Sequence, residues 1–177
     1  MDALDAIMTR RSVRTFTPEP VSASDTDTIL RAAMAAPSAF NQQRWRFVVV
    51  RDTERLAQLS EATPYAGPLA GAAAGIVVCG ETADERTPGY WIVECSAAIE
   101  NALLAANALG LGAVWLGVAM YDDRVSKVRD ILGLPDHVAP LAMIALGHPA
   151  DRTDPAERFD ADKVHNETWH DAESGES

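Results

Sequence analysis

The segment "YWIVECSAAIENALLAANALGLG", residues 90–112, constrains the fold more than any other part of the chain. Its apolar side chains extend nearly all round a helix, so the pattern predicts a helix buried at the centre of the protein. Glu100, Asn101 and Asn107 interrupt the run, which indicates a buried helix and not a membrane span. The many alanines would let a second helix approach closely.

The rest of the chain alternates predicted helices and strands around this segment. Apolar spacing and capping residues predict four more helices, and runs of β-branched residues predict four strands. The segment "GPLAGAAAG", which leads into the second strand, is predicted to begin as a flexible stretch. The helices are expected near residues 4–8, 22–36, 53–62 and 122–133, and the strands near residues 44–50, 76–79, 113–117 and 141–147.

The order of these elements shows no sequence repeat and no long linker. Interleaved helices and strands of this kind indicate one α+β domain, which we expect to cover residues 1–170. The last residues, 171–177, are expected to form a disordered tail.

The chain is strongly acidic, with a formal net charge of −11. This charge argues against nucleic acid or an anionic membrane as the main partner, because the overall field repels phosphate. Cys79 and Cys95 form no CxxC pair, lie in apolar runs and are predicted to be core residues, which fits a reducing cytoplasm. The N-terminal stretch lacks the pattern of an export signal, so a cytoplasmic protein is expected.

Several familiar site motifs are absent from the sequence. It contains no GxGxxG, GxxxxGK[ST] or HExxH, so dinucleotide-fold, P-loop and zinc-protease assignments lack their basis. His165 and His170 lie in a polar segment without further ligands nearby, and no metal site is predicted. Asp122 and Asp123 precede a helix, where capping explains them better than catalysis does.

A basic cluster stands near the start of the chain, in "TRRSVRTF", residues 9–16. Arginine binds phosphate with two parallel hydrogen bonds, and a serine hydroxyl adds a short donor to the same anion. Arg10, Arg11, Ser12 and Arg14 are therefore candidates for anion binding. From composition alone, the favoured alternative is a solvated basic turn that balances acidic neighbours.

A second candidate segment, "APSAFNQQRW", places Pro, Ser, Asn and Gln directly before a predicted strand. Amide side chains there could bind the imide edge of a planar heterocycle, which alternates donors and acceptors. The alternative is a helix stop followed by a polar loop. An anion-binding and a ring-binding segment without a dinucleotide fold point towards a mononucleotide cofactor.

Four segments carry a resemblance to a known family. They follow the order and approximate spacing of the motifs of FMN-dependent nitroreductases over roughly residues 1–170, and the chain resembles the shorter members of that family. The resemblance implies a nitroreductase-like α+β fold, with a central, mostly antiparallel sheet flanked by helices, and a homodimer with two FMN sites at its interface. The segments are "RRSVRTF", "APSAFNQQRWRFVVV", "CSAAIENALLAANALGLGAVWLG" and "LGLPDHVAPLAMIALGHP".

The resemblance also assigns roles to the basic residues. It implies that Arg10 and Ser12 hold the FMN phosphate, with Arg11 close by. Arg14 would lie towards the pyrimidine edge of the flavin, where a cation favours the anionic reduced form. Arg158 is the candidate for a basic residue near the C-terminus that completes the phosphate site.

The ring and the ribityl chain would be bound largely by the second segment. The resemblance places that segment in the partner subunit, and it places the backbone of the "WLG" strand beside the isoalloxazine. The residues so implied are Pro37, Ser38, Ala39 and Asn41 from the partner, with Leu116 and Gly117 on the strand.

Three departures from the family pattern stand out. The usual Gln-Pro-Trp is Gln43-Arg44-Trp45, and Glu157 stands where many relatives have a second basic residue. The chain is also short between the second strand and the central helix, where residues 80–92 are the expected cover over the flavin. Arg44 and Arg46 could recognise the 2′-phosphate of NADPH or be surface charges.

The function implied is an FMN oxidoreductase. It would use NADH or NADPH to reduce a small electron acceptor of nitroaromatic or quinone type, by a ping-pong mechanism and with no catalytic side chain of its own. Other reactions of relatives (dehalogenation, azoline oxidation, flavin fragmentation) and a non-catalytic flavin- or nucleotide-binding regulatory module are the alternatives.

Overall fold

The structure is a computed structural model that describes residues 1–83, 86–151, 154 and 156–169. Over these residues the chain forms five α-helices and four β-strands, all of them close to predicted positions. The helices are α1 (Ala3–Thr9), α2 (Ala23–Met34), α3 (Thr53–Ser60), α4 (Tyr90–Ala108) and α5 (Asp122–Leu132). The strands are β1 (Trp45–Val50), β2 (Ala74–Glu81), β3 (Gly112–Gly117) and β4 (Val138–Gly147).

The four strands form one sheet in the order β1-β2-β4-β3. Every neighbouring pair is antiparallel, which confirms the predicted α+β class with an antiparallel sheet. The two central strands are buried on both faces, so they are almost continuously apolar. Strands β1 and β3 lie at opposite edges of the sheet.

Successive side chains of β2 point to opposite faces and join two separate cores. Ile76 and Val78 pack in the core under α2 and α4. Val77 and Cys79 pack in the core on the other face, together with apolar residues of α3 and α5. The sheet is therefore covered by helices on both sides.

Helix α4 is central, as its apolar pattern predicts. Cys95, Ala98 and Ile99 are fully buried, whereas Tyr90 and Val93 in its first turns are exposed. The helix is thus covered on most of its circumference, and one stripe is left open.

The polar residues of α4 connect it to its neighbours. Asn101 donates to the carbonyl of Ala32 in α2 over 3.1 Å. Asn107 donates to the carbonyl of Ala6 over 3.0 Å and to the hydroxyl of Thr9 over 2.9 Å, both in α1. These side chains fix α1 and α2 against α4.

The prediction of a flexible segment before β2 is wrong. Residues Gly67–Gly71 form a 3-10 helix, and Leu69 within it is fully buried. A Cβ on Gly75 would lie 3.0 Å from Leu56 and from Leu69, so the missing side chain lets both leucines pack against β2. Burial of Leu69 orders the segment despite its glycine and alanine content.

The predicted tail, 171–177, lies outside the described residues. Within the described part of the chain, no helix is both long and apolar enough to cross a membrane. The same residues contain no cluster of His, Cys, Asp and Glu suited to a metal ion.

Gly80 gives a test of the contact between β2 and the start of α4. A Cβ there would lie 2.6 Å from Cδ2 of Trp91 and closer still to Cε3, so the indole would have to shift. We expect Gly80→Ala to lower the free energy of unfolding by about 1–3 kcal/mol in urea denaturation, the usual cost of overpacking. Gly71→Ala, where a Cβ would meet no atom within 4 Å, is the matched control. Equal stability of the two variants would contradict this packing.

Candidate functional site

The N-terminal basic motif is extended and lies along the outer edge of β3. Ser12 and Ala113 form a parallel bridge, and the backbone N–H of Val13 donates to the carbonyl of Ala113 over 3.0 Å. Further along, the N–H of Thr17 donates to the carbonyl of His148, just beyond β4, over 2.9 Å. The backbone of the motif is therefore held by the sheet.

Two glycines allow this close approach. A Cβ on Gly112 would lie 2.7 Å from Cγ1 of Val13, and a Cβ on Gly147 would lie 2.9 Å from Cδ1 of Phe16. The two glycines are cross-strand partners in β3 and β4. Side chains alternate along an extended segment, so Val13 packs inwards while Ser12 and Arg14 are exposed.

Arg10 is held by one ion pair with α4. Its Nε lies 3.1 Å from Oε1 of Glu100. Because the pair is made through Nε, the two Nη groups of the guanidinium can still bind an anion with two parallel hydrogen bonds.

Arg11 has a different environment from its neighbours. Its guanidinium donates to four backbone carbonyls, two in the N-terminal segment and two in the C-terminal segment. The acceptors are Met8 at 3.3 Å, Arg10 at 2.6 Å, Asp154 at 3.0 Å and Ala156 at 3.4 Å. A direct contact between Arg11 and phosphate remains a prediction, and these bonds compete with it.

A cavity of about 390 Å³ opens beside the motif, lined by Arg10 and Arg11 and by apolar residues such as Leu103. Asp151 and Asp154 also line it. Glu100 pairs with Arg10, and the two aspartates share the cavity with Arg10 and Arg11. The motif is thus a set of oriented donors more than a region of excess positive charge.

The second predicted segment is an irregular loop before β1. Phe40, Asn41 and Gln43 have φ values of 52°, 55° and 50°, a left-handed conformation that side chains disfavour. Such backbone persists only where the surroundings hold it, and it is common at functional sites.

A buried carboxylate holds this loop. Glu94 in α4 is 3% exposed, and its Oε1 accepts a hydrogen bond from the N–H of Ala39 over 2.9 Å. Its Oε2 accepts from the N–H of Arg44 over 3.4 Å. Sequence reasoning missed Glu94, although an acidic residue in an otherwise apolar stretch of a central helix was the available signal.

The other predicted loop residues differ in what they can offer a ligand. Pro37 and Asn41 are exposed. The hydroxyl of Ser38 accepts from the N–H of Gln43 over 3.1 Å, so its own O–H can still donate. The N–H of Ala39 is used by Glu94, which leaves the methyl group and the carbonyl of Ala39 for other contacts.

Arg44, which replaces the proline of the family pattern, connects the loop to the end of β2. Its Nε and Nη2 donate to Oε1 of Gln42 over 3.1 and 2.9 Å, and its Nη1 donates to the carbonyls of Glu81 and Ala83. Arg46 forms an ion pair with Glu81. Both arginines therefore have partners within the chain, which fits a structural role better than recognition of a 2′-phosphate.

Leu116 and Gly117, the two residues predicted on β3, have backbone groups that point in opposite directions. The carbonyl of Ala113 points to the outer edge, because it accepts from Val13. Directions alternate along a strand, so Trp115 and Gly117 also present their backbone groups at that edge, whereas Leu116 faces β4. The side chain of Leu116 is buried in the core, so this residue is poorly placed for a ligand on the open edge.

Arg158 and the two cysteines complete the predicted residues. Arg158 is exposed, two residues beyond the carbonyl of Ala156 that Arg11 binds. Burial raises the pKa of Cys79 and Cys95 to about 12, so neither thiol forms a nucleophilic thiolate near neutral pH. Their predicted place in the core is confirmed.

The two halves of the predicted site lie apart within one chain. The basic motif borders β3 and the irregular loop leads into β1, at opposite edges of a four-stranded sheet. Three strand spacings correspond to about 14 Å. None of the residues lining the cavity beside Arg10 belongs to the loop.

Comparison with known proteins identifies relatives along nearly the whole chain. The model of the nitroreductase family matches residues 7–63 and 61–148. A protein of Methanothermobacter thermautotrophicus, whose name combines NADH dehydrogenase and NAD(P)H nitroreductase, is 44% identical over 96% of this chain and 88% of its own length.

Solved structures agree with this match. A similarly named Parabacteroides distasonis protein has a TM-score of 0.91 and 40% identity, covering 94% of this chain and 98% of its own. A Desulfovibrio desulfuricans protein, solved in complex with FMN under a nitroreductase name, has a TM-score of 0.82 and 34% identity. That match covers 96% of this chain and 99% of the other.

The hold of Glu94 on the loop can be tested by a substitution of nearly equal size. Glu94→Gln leaves one oxygen to accept from Ala39 or Arg44 and turns an amide N–H₂ towards the other donor. We expect a loss of about 1–3 kcal/mol in the free energy of unfolding and faster hydrogen exchange in residues 37–44. Glu54→Gln, on the exposed face of α3, should change stability by less than about 0.5 kcal/mol. Unchanged exchange in the loop would show that Glu94 does not hold it.

Proposed function

Because the chain belongs to the nitroreductase family, we propose that it uses NADH or NADPH to reduce a small electron acceptor of nitroaromatic or quinone type, with the two substrates occupying one pocket in turn. Family membership makes the chain an NAD(P)H-dependent flavin oxidoreductase with FMN as its cofactor. One observation best supports the placement of the site. The candidate phosphate donors, Arg10 and Ser12, lie at one edge of the sheet, and a polar loop that Glu94 holds in place lies at the other edge.

The residues present fit FMN. Arg10 offers two Nη groups and Ser12 an exposed hydroxyl, the donor types that bind a phosphate monoester. Gly117 lies on the open edge of β3, and a Cβ there would meet no atom within 4 Å, so a flat ring has room beside the backbone. When bound, FMN supplies the hydride chemistry, which explains why the site needs no general acid or base.

The protein's own part is to bind and orient. Arg10 and Ser12 would hold the phosphate. Arg158 would add positive charge that compensates for the negative charges of Glu100 and Asp151. Arg14, exposed on the same side of the motif as Ser12, would lie near the pyrimidine edge and raise the flavin potential.

The ring-binding loop would come from a second copy of the chain. Within one chain the loop and the basic motif lie at opposite sheet edges, so a partner that brings its own Pro37, Ser38 and Asn41 completes the site. The exposed apolar side chains of α1 and α4 support such a homodimer, because a monomer would leave them in water. They are Leu4, Ile7, Met8, Tyr90 and Val93.

The absorption spectrum of the purified protein tests the proposal directly. We expect a flavin spectrum that bleaches when NADH or NADPH is added without oxygen and returns when a quinone or nitroaromatic acceptor is added. Arg10→Ala with Ser12→Ala should weaken FMN binding at least about a hundredfold in a fluorescence titration, since two charge-assisted hydrogen bonds are lost. Arg31→Ala, on the exposed face of α2, is the control. Bound flavin that NAD(P)H does not bleach would favour a binding module over an enzyme.

Mixing two defective variants tests whether each site uses two chains. One variant carries Arg10→Ala and Ser12→Ala, and the other carries Ser38→Ala and Asn41→Gly, the glycine retaining the left-handed φ of position 41. In a shared site, a mixed dimer has one intact and one doubly defective site, so re-equilibrated equal mixtures should recover about a quarter of the wild-type FMN sites. No recovery, with subunit exchange verified by mass, would place each site within one chain.

A further inference from the structure

We propose that Arg11 is a positioning residue, which fastens the C-terminal segment to the basic motif and so sets where Arg158 lies relative to Arg10 and Ser12. The proposal rests on the function proposed above, because it assigns Arg158 to the phosphate. This role differs from the one that the family resemblance implies, in which Arg11 is itself a neighbour of the phosphate.

The hydrogen bonds of Arg11 join two parts of the chain that are far apart in sequence. Its Nε donates to the carbonyl of Asp154 and its Nη2 to the carbonyl of Ala156, while its Nη1 donates to carbonyls of the N-terminal segment. The planar guanidinium has five donors in a fixed arrangement, so it can bind both segments at once. A lysine, with one nitrogen, cannot span the same acceptors.

The fastened segment leads directly to Arg158. Arg158 is the second residue after Ala156, which limits the distance between their Cα atoms to about 7 Å. Oε1 of Glu157 accepts from the N–H groups of Arg158 and Phe159, over 2.9 and 2.8 Å. The carboxylate that replaces a basic residue of the family pattern therefore holds the backbone N–H groups at Arg158 and Phe159.

The position of Arg158 matters because acidic residues lie close to the basic motif. Glu100, Asp151 and Asp154 lie among the arginines of the motif, so a phosphate dianion gains little from the local field alone. An additional cation held at a fixed place would then contribute strongly to FMN binding. Arg11 forms no ion pair among the described residues, and its four hydrogen bonds to backbone carbonyls supply the fixed place.

The test combines a structural readout without FMN and a binding readout with it. The variants are Arg11→Gln, Arg11→Lys, Arg158→Gln and the Arg11→Gln/Arg158→Gln double variant, with Arg55→Gln on α3 as a charge-matched control. In the FMN-free protein we expect amide exchange in residues 154–165 to rise at least about fivefold in Arg11→Gln and to stay at the wild-type rate in Arg158→Gln and Arg55→Gln.

In FMN titrations, Arg11→Gln and Arg158→Gln should each raise the Kd about tenfold, the effect of one charge-assisted contact. The double variant should also lie near tenfold, because Arg11 acts through Arg158. Arg11→Lys should fall between the wild type and Arg11→Gln.

Two results would overturn the proposal. Unchanged exchange in Arg11→Gln would show that Arg11 does not hold the segment. A double variant weakened about a hundredfold would show that Arg11 and Arg158 contribute independently, as two direct ligands would. If the wild type binds no FMN, the proposed function and the role of Arg158 fail together, whereas the exchange experiment still decides whether Arg11 holds the segment.

Discussion

The packing of α4 against the sheet is the contact on which the other parts of the molecule depend. Its apolar residues contribute more to one core than those of any other helix or strand, and its few polar residues each hold a different segment. Glu94 holds the irregular loop, Glu100 pairs with Arg10, Asn101 binds α2 and Asn107 binds α1. One helix therefore fixes both candidate binding segments relative to the sheet.

The electrostatics of the basic motif explain how an acidic chain can bind an anion. Glu100 pairs with Arg10, and Asp151 and Asp154 line the cavity that Arg10 and Arg11 border, so acidic residues accompany the arginines. The orientation of the donors then favours binding. Glu100 fixes Nε of Arg10, and the two Nη groups of Arg10 can still bind a phosphate. Oriented donors of this kind favour a phosphate over monovalent anions, because a phosphate accepts several hydrogen bonds at once.

Local sequence patterns were sufficient for most of the fold. Helix and strand positions depend on apolar spacing and caps, which a reader can see within ten residues, and the central place of α4 followed from its composition. The 3-10 helix at Gly67–Gly71 was missed because Leu69 is ordered by the core and not by its neighbours in sequence. Strand order was likewise not predictable, since it depends on contacts between distant segments.

The candidate site was predictable only as far as its motifs reach. The motif residues carry the resemblance, but two of the four hydrogen bonds of Arg11 span more than 140 residues, and those of Glu94 span 50 and 55. The outward direction of Gly117 and the inward direction of Leu116 follow from strand pairing. The partners of these residues cannot be read from a short stretch of sequence, although Glu94 itself stands out as an acidic residue in an apolar helix.

The glycine pair at Gly112 and Gly147 has a consequence for interpreting mutational scans. Val13 and Phe16 occupy the space that side chains at the two glycines would need. A methyl group on either glycine would therefore push the basic motif, which carries Ser12 and Arg14, off the sheet. Such a substitution would displace Ser12 and Arg14, two of the proposed binding residues, without changing either side chain. A map of damaging substitutions would therefore include the glycines that support the binding residues as well as the binding residues themselves.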